Sequence, residues 1–393
     1  MFRLYIAVLV SLFVFTPLKI FASAHEEPSN PAMAINEPDR YAWLLFMALN
    51  WPADVPLKKS NPSKPFGAPG PVVWETWRNV RNQAPDTTFK PDGSDPGEWL
   101  GTQTQATRTE NDVDNSPLQQ QLLRRGRAEI MFDRPVSTIN RNETRLNRDM
   151  YEFIRKNTLY NIEGQELLIG KVQAISFPVN SKEIKAQWRR ISESDKPRYH
   201  WVEISVSGQV QIYGLTALHV ITKDIPNWFW ATFEHEDNKL PANQGGRAEN
   251  EGWLIKSKDK FACPTPPHDC EKIPAGIGLE NTKWQNYRLR GTQVDFVDVF
   301  GQPTILANSQ PEQGFQATSS CITCHARATI GSRVMDEANR LEIFKPQDPA
   351  NPDKIESYTG SPNPEWFAND GTGKRYIHLD FVWSLFRAQR IQR

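Results

Sequence analysis

Residues 199–235 read YHWVEISVSGQVQIYGLTALHVITKDIPNWFWATFEH. Three runs within this stretch, Tyr199–Val206, Gln209–Thr222 and Asn227–His235, carry the aromatic and β-branched residues that suit a pleated, half-buried surface. Ser207-Gly208 makes a tight turn between the first two, and Lys223–Pro226 makes one before the third. The stretch predicts an antiparallel meander. In the third run, Trp228, Phe229, Trp230 and Phe233 fit a buried strand whose large aromatics fill a core. Glu234 and His235 end that strand as neighbours; side chains of adjacent strand residues point to opposite faces, so the two do not converge as an acid–base pair.

Outward from the meander, helices and loops flank the strands. Asp39–Asn50 (DRYAWLLFMALN) is a short apolar helix stopped by Trp51-Pro52. Residues 52–120 are rich in Pro, Gly and Ser, with one helical turn around Trp74–Val80. Over Asn142–Tyr160, Leu146, Met150, Phe153, Ile154 and Tyr160 form the stripe of an amphipathic helix. Leu167–Phe177 reads as one or two strands. Asn180 with Glu183 resembles a capping box, and Ile184, Trp188 and Ile191 share a face over Ser181–Ile191, which predicts a helix there. Thr292–Phe300 is one more strand. The chain ends in an amphipathic helix over about Asp380–Arg390, presenting Phe381, Val382, Leu385 and Ala388. The 30 prolines favour long irregular loops over a compact helical bundle. No internal repeat supports a propeller or solenoid.

Cys321-Ile322-Thr323-Cys324-His325 is a C-x-x-C-H segment and holds two of the four cysteines. Positions i, i+3 and i+4 share one face of a helix. Both thiols can therefore bond the vinyl groups along one edge of a porphyrin, with His325 placed under the iron as its proximal ligand. A zinc site wants a second ligand pair at similar spacing. Cys263 and Cys270, the other cysteines, are poorly placed to supply one. They enclose Pro-Thr-Pro-Pro-His-Asp, and in an oxidising compartment they are expected to staple that loop as a disulfide. A thioredoxin-like site wants a βαβ context, which the sequence lacks.

The N-terminus agrees with a haem. A short segment carrying Arg3 precedes an apolar run from Ile6 to Phe15, and Ala22-Ser23-Ala24 closes it as a small-x-small cleavage signature. The apolar run is too short to span a bilayer comfortably. Residues 1–24 are expected to be a signal peptide cut after Ala24, sending the protein to the periplasm or outside the cell. Covalent haem attachment in bacteria takes place in that compartment. Lys+Arg and Asp+Glu are equal at 46 each, and removal of Arg3 and Lys19 leaves the mature chain slightly acidic. Such a balance gives no basic footprint for nucleic acid, and no later segment is apolar for long enough to span a membrane.

The stretch Ser319-Ser320-Cys321-Ile322-Thr323-Cys324-His325-Ala326 resembles exported mono-haem bacterial c-type cytochromes. The resemblance implies one haem c held by thioethers from Cys321 and Cys324, axial ligation by His325 and a redox role in the periplasm. That family's fold is roughly a hundred residues of helices, whereas most of this chain, partly β, precedes the motif. The expected architecture is therefore α+β. Residues 25–299 form an antiparallel β-rich body with flanking helices, and residues 300–393 form a loop-rich, cytochrome c-like haem segment.

The second axial position stays open between Met335, downstream of the motif, and the histidines His378, His219 and His235. The expected function is electron transfer with a redox partner protein. The alternative is a mono-haem enzyme, peroxidase-like or oxygenase-like, in which a small-molecule substrate meets open iron under the β-rich body.

Overall fold

The computed structural model describes residues 24–99, 107–113, 141–172, 174–239, 257–263, 273–312, 316, 319–334, 337–341, 346–348, 351–355, 359–369 and 375–392. The expected signal peptide lies outside these residues but for Ala24, and Met335 and Cys270 lie outside them altogether. Among the described residues no helix is long and apolar enough to cross a membrane.

The 199–235 meander is the centre of one large sheet. Its eight strands are β1 (Arg78–Asn79), β2 (Thr107–Thr109), β3 (Arg141–Leu146), β4 (Lys182–Arg190), β5 (Trp201–Val206), β6 (Gln209–Thr222), β7 (Phe229–His235) and β8 (Tyr287–Gln293). The hydrogen-bonded order is β8-β7-β6-β4-β3-β1, with β5 also on β6 and β2 on β5. All pairings are antiparallel except β2 with β5. Ser207 and Gly208 both have positive φ, 50° and 78°, the backbone of a two-residue hairpin turn whose twist matches its strands. The long β6 serves two partners in succession along one edge, β5 beside Gln209–Gly214 and β7 beside Ala217–Thr222.

The two faces of the sheet differ in chemistry. On one, Ile184, Ala186 and Trp188 of β4, Leu218 and Val220 of β6, and Phe229, Ala231 and Phe233 of β7 join an apolar core. The helix Pro38–Leu49 covers this face with Trp43 and Phe46; the rings of Phe46 and Phe233 lie 4.3 Å apart. Each such buried side chain contributes roughly 1.5–3 kcal/mol. On the other face stand Glu183, Lys185 and Gln187 of β4, His219 of β6, and Thr232 and Glu234 of β7. Their alignment follows from the register Lys185↔His219↔Thr232 and Gln187↔Ala217↔Glu234. The Cys321–His325 segment packs over this polar face. A second apolar cluster there combines Leu146, Ile221 and Trp230 with Ile322, Ala326, Ile330, Leu379 and Leu385, so residues on both sides of position 300 build it.

The molecule is thus α+β, with a strand-rich sheet and few helices. Several local expectations are corrected. Ser181–Ile191 is not a helix but holds the central strand β4: Ile184 and Trp188 suit either period, yet Ala186 between them and charges at the alternate positions give period two. Asn180, the expected cap, has φ 72°. The Asn142–Tyr160 helix begins only at Arg148, capped by Asn147, because β3 occupies Arg141–Leu146. Arg145 and Glu143 of β3 are buried in ion pairs, Arg145 with Asp86 at 3.1 Å and Glu143 with Arg108 at 3.1 Å, so that strand carries no apolar alternation to read. Leu167–Lys171 form turns that follow the helix Ile162–Glu166, and Ala174 makes a bridge to His378.

Three further boundaries move. The strand expected at Thr292–Phe300 lies earlier, at Tyr287–Gln293. The expected turn around Trp74–Val80 is a 3₁₀ turn at Val73–Thr76, followed by β1. The terminal helix is likewise a 3₁₀ turn, Trp383–Arg387, although Phe381, Val382, Leu385 and Ala388 are buried as their spacing implied. A small ribbon of β9 (Thr329–Val334), β10 (Glu337–Asn339) and β11 (Tyr376–His378) shares an apolar cluster with this turn through Ile330, Ile377 and Leu385.

Candidate haem site

Cys321–His325 forms one turn of α-helix. Ser320 caps it, its side chain accepting from the Thr323 amide at 3.4 Å, which satisfies a donor the helix leaves open. Gln293, the last residue of β8, ties the cap to the sheet: its Nε2 donates to Ser320 Oγ at 2.7 Å and its Oε1 accepts from the Ile322 amide at 3.0 Å. Thr323 Oγ1 donates to the Gly360 carbonyl at 2.7 Å, and Trp383 Nε1 donates to the Cys324 carbonyl at 3.2 Å. Ile322 is wholly buried, whereas Cys321, Cys324 and His325, which share one side of the turn, are only partly buried. That side therefore keeps surface for a ligand.

Cys321 and Cys324 are free thiols. Burial pushes both up, Cys324 to about 11, and the Glu312 carboxylate adds to the effect on Cys321. A redox or nucleophilic pair is instead tuned downward by neighbouring positive charge. Among the described residues no group of three or more His, Cys, Asp and Glu side chains is arranged to hold a bare metal ion.

His325 is the most closely constrained member of the motif. Its Nδ1 lies 2.7 Å from the Phe381 carbonyl. A carbonyl only accepts, so Nδ1 carries the proton and Nε2 keeps its lone pair. Burial holds the ring neutral, its pKa pushed down to about 3. Trp230 of β7 flanks the imidazole with ring centroids 4.6 Å apart. Asp380 and Phe381 present the carbonyl from left-handed backbone, φ 49° and 68°. That turn is held by Lys223 Nζ on Asp380 Oδ1 at 2.6 Å and by the Phe177 amide on Asp380 Oδ2 at 2.7 Å.

The other sequence candidates separate cleanly. His235 points to the helix-covered side of the sheet, stacked on Tyr199 at 3.7 Å. Its Nε2 meets the Arg198 carbonyl at 3.0 Å and its Nδ1 accepts from the Asp237 amide at 3.1 Å, so neither nitrogen is left for a metal. His378 on β11 packs edge-on to Phe381, 4.6 Å between centroids. His219 lies on the polar face of the sheet, with Nε2 3.6 Å from Glu312 Oε1. Met335 has no described position. Lys185 and Glu312, which sit with His219 under the motif, are absent from the sequence reading. Recognising β4 as a strand would have placed Lys185 opposite His219. No protein family model, no curated protein and no solved structure matches this chain.

Proposed function

We propose that the protein is an exported c-type cytochrome that carries one covalently bound haem and serves in electron transfer. The observation that carries this is the Nδ1 bond of His325 to Phe381, beside two free thiols on the same side of one helical turn. The residues fit the group. Cys321 and Cys324 would hold the macrocycle by thioethers, and His325 would bind its iron through Nε2. A haem so held supplies one-electron cycling between Fe(III) and Fe(II). The chain's own part is to fix the imidazole's tautomer, shield it with Trp230 and keep the thiols protonated until attachment.

The cytochrome c-like character of the C-terminal segment, on this reading, lies in its attachment chemistry. Export to the periplasm or beyond, removal of residues 1–24 and a disulfide between Cys263 and Cys270 belong to the same proposal. A redox partner has an apolar point of contact in Val299 and Phe300, 93% and 83% exposed at a loop tip. The loop's base, Phe296, packs 6.2 Å from the Phe381 ring.

The alternative, a haem enzyme, draws on a cavity of about 1020 Å³ lined by Glu75, Arg108, His200 and Lys283. That cavity borders Trp188, on the face of the sheet away from Cys321. Its lining does not include Cys321, Cys324 or His325, so it lends the enzyme reading no support and electron transfer ranks first. The test is expression with haem c maturation, followed by a pyridine-haemochrome spectrum and intact mass. The expected result is one haem per chain, retained in acidified organic solvent and lost from the double variant Cys321→Ala, Cys324→Ala. A colourless wild-type protein of unmodified mass would overturn the proposal.

A further inference from the structure

We propose that the second axial ligand of the iron is His219, presented by β6 from the polar face of the sheet beneath Cys321–His325. The inference rests on the haem reading above and names the distal residue of that same site.

The placement follows from register. His219 aligns with Lys185 on one side and Thr232 on the other, so its side chain leaves the sheet on the face that the motif covers. The Leu306–Glu312 segment links the two layers. Cys321 Sγ donates to the Leu306 carbonyl at 3.4 Å, Asn308 Nδ2 donates to Thr232 Oγ1 at 2.8 Å, and Glu312 ends 3.6 Å from His219. One short segment thus touches a thioether cysteine at one end and the candidate imidazole at the other.

His219 is buried, and its Nε2 has no hydrogen-bond partner. A buried ring nitrogen without a partner is unfavourable in itself, and a metal is one partner that satisfies it.

The competitors fail on geometry. His378 also has a buried Nε2 without a partner, but it lies on β11 of the small ribbon, its ring edge-on to those of Phe381 and Phe367, and not on the sheet face that the Leu306–Glu312 segment ties to Cys321. Both nitrogens of His235 are engaged. His200 lies on the other face, stacked on Trp284 at 4.9 Å. His25 sits against Trp51. Of the described methionines, Met33 and Met47 belong to the core under the helix-covered face. Met150 is fully buried in the second apolar cluster, on the helix Arg148–Lys156.

The experiment uses the mature holo-protein. The oxidised wild type should be low-spin at neutral pH and lack the sulfur-to-iron charge-transfer band at the red edge of the visible spectrum. His219→Ala should carry the same haem per chain by pyridine haemochrome yet become largely high-spin, and added imidazole should restore the low-spin spectrum. His219→Met should gain the sulfur band, and His378→Ala should leave the spectrum unchanged. A high-spin wild type overturns the assignment, as does a sulfur band in the wild type that persists in His219→Ala and marks a methionine as the ligand. A low-spin His219→Ala does the same. Absence of any haemochrome removes the haem reading itself, an outcome distinct from these.

Discussion

His325 donates its Nδ1–H to the main-chain carbonyl of Phe381 across 2.7 Å, and this contact decides which ring nitrogen remains for a metal. The carbonyl stands where it does because two successive non-glycine residues, Asp380 and Phe381, adopt left-handed backbone. Such conformations are uncommon for side-chain-bearing residues and persist where surrounding contacts fix them. Here the fixing contacts come from the body of the protein. Lys223, at the end of β6, reaches Asp380 at 2.6 Å, and the Phe177 amide reaches the other carboxylate oxygen. The motif's histidine is therefore aimed by residues far from it in sequence.

Asp380→Asn should loosen that aim. Both members of the Lys223–Asp380 pair are buried, and removing one charge leaves the other uncompensated, an effect of about 3–5 kcal/mol. Urea unfolding should show a loss of that order for Asp380→Asn, and a smaller one for the double variant Lys223→Met, Asp380→Asn. If the single variant unfolds at the wild-type midpoint, the pair does not hold the turn.

His325→Ala should separate attachment from ligation. On the proposed haem attachment, Cys321 and Cys324 remain to form the thioethers, so covalent haem should be retained, while loss of the imidazole should give high-spin or unstable haem. Removing the ring also leaves the Phe381 carbonyl without its donor, at about 1–3 kcal/mol for a buried group. Intact mass reports the first effect and the absorption spectrum the second. An unchanged low-spin spectrum in the variant would assign the proximal ligand elsewhere.

The sheet was legible where residues alternate or carry clear turn chemistry, and the helical turn of the motif where the C-x-x-C-H spacing calls for one. Ser207-Gly208 and the three runs around it were read correctly because a two-residue turn fixes register locally. The one-turn helix of Cys321–His325 follows directly from its spacing. β4 was misread because Ile184 and Trp188, four apart, suit a helix stripe as well as a strand face. β3 was misread because its core positions are Glu143 and Arg145, whose burial depends on Arg108 and Asp86 arriving from elsewhere in the chain. Phe381's role escaped detection for a similar reason: it acts through a backbone carbonyl, which has no signature in side-chain identity.

Gly214→Ala should destabilise the sheet. Gly214 lies on β6 where a Cβ would fall 2.5 Å from Tyr199 Cδ1 and 2.8 Å from its Cγ. Tyr199 cannot swing away freely, since its ring stacks on His235 at 3.7 Å and its hydroxyl donates to Asp237 at 2.7 Å. Overpacking of this kind is unfavourable by about 1–3 kcal/mol. The thermal unfolding temperature of the variant should fall accordingly. A variant as stable as the parent would mean that the backbone of β6 yields there at no expense.

Glu183→Gln should change how stability varies with pH. Burial pushes the Glu183 carboxyl up to about 7, opposed in part by the Ser384 hydroxyl, which donates to it at 2.7 Å. In the unfolded chain the group ionises near 4.5. Below that pH both states are protonated, and the residue adds no pH dependence. Between about 4.5 and 7 the unfolded chain loses its proton while the folded one retains it, so stability falls as pH rises through this window and levels off above it. The full effect is roughly 3 kcal/mol, from the span of the window at 1.36 kcal/mol per unit. Gln is neutral throughout and can still accept from Ser384. The variant should therefore match the wild type near pH 4 and exceed it by a few kcal/mol at pH 8. Glu312, also raised to about 7, keeps a slope of the same sign in both proteins. His235, lowered to about 4 by burial, loses stability as pH falls from 6.5 toward 4 and does so equally in both. Only the difference between the two unfolding curves isolates Glu183. A difference that stays constant from pH 4 to pH 8 would show that this carboxyl does not titrate within the fold as its burial requires.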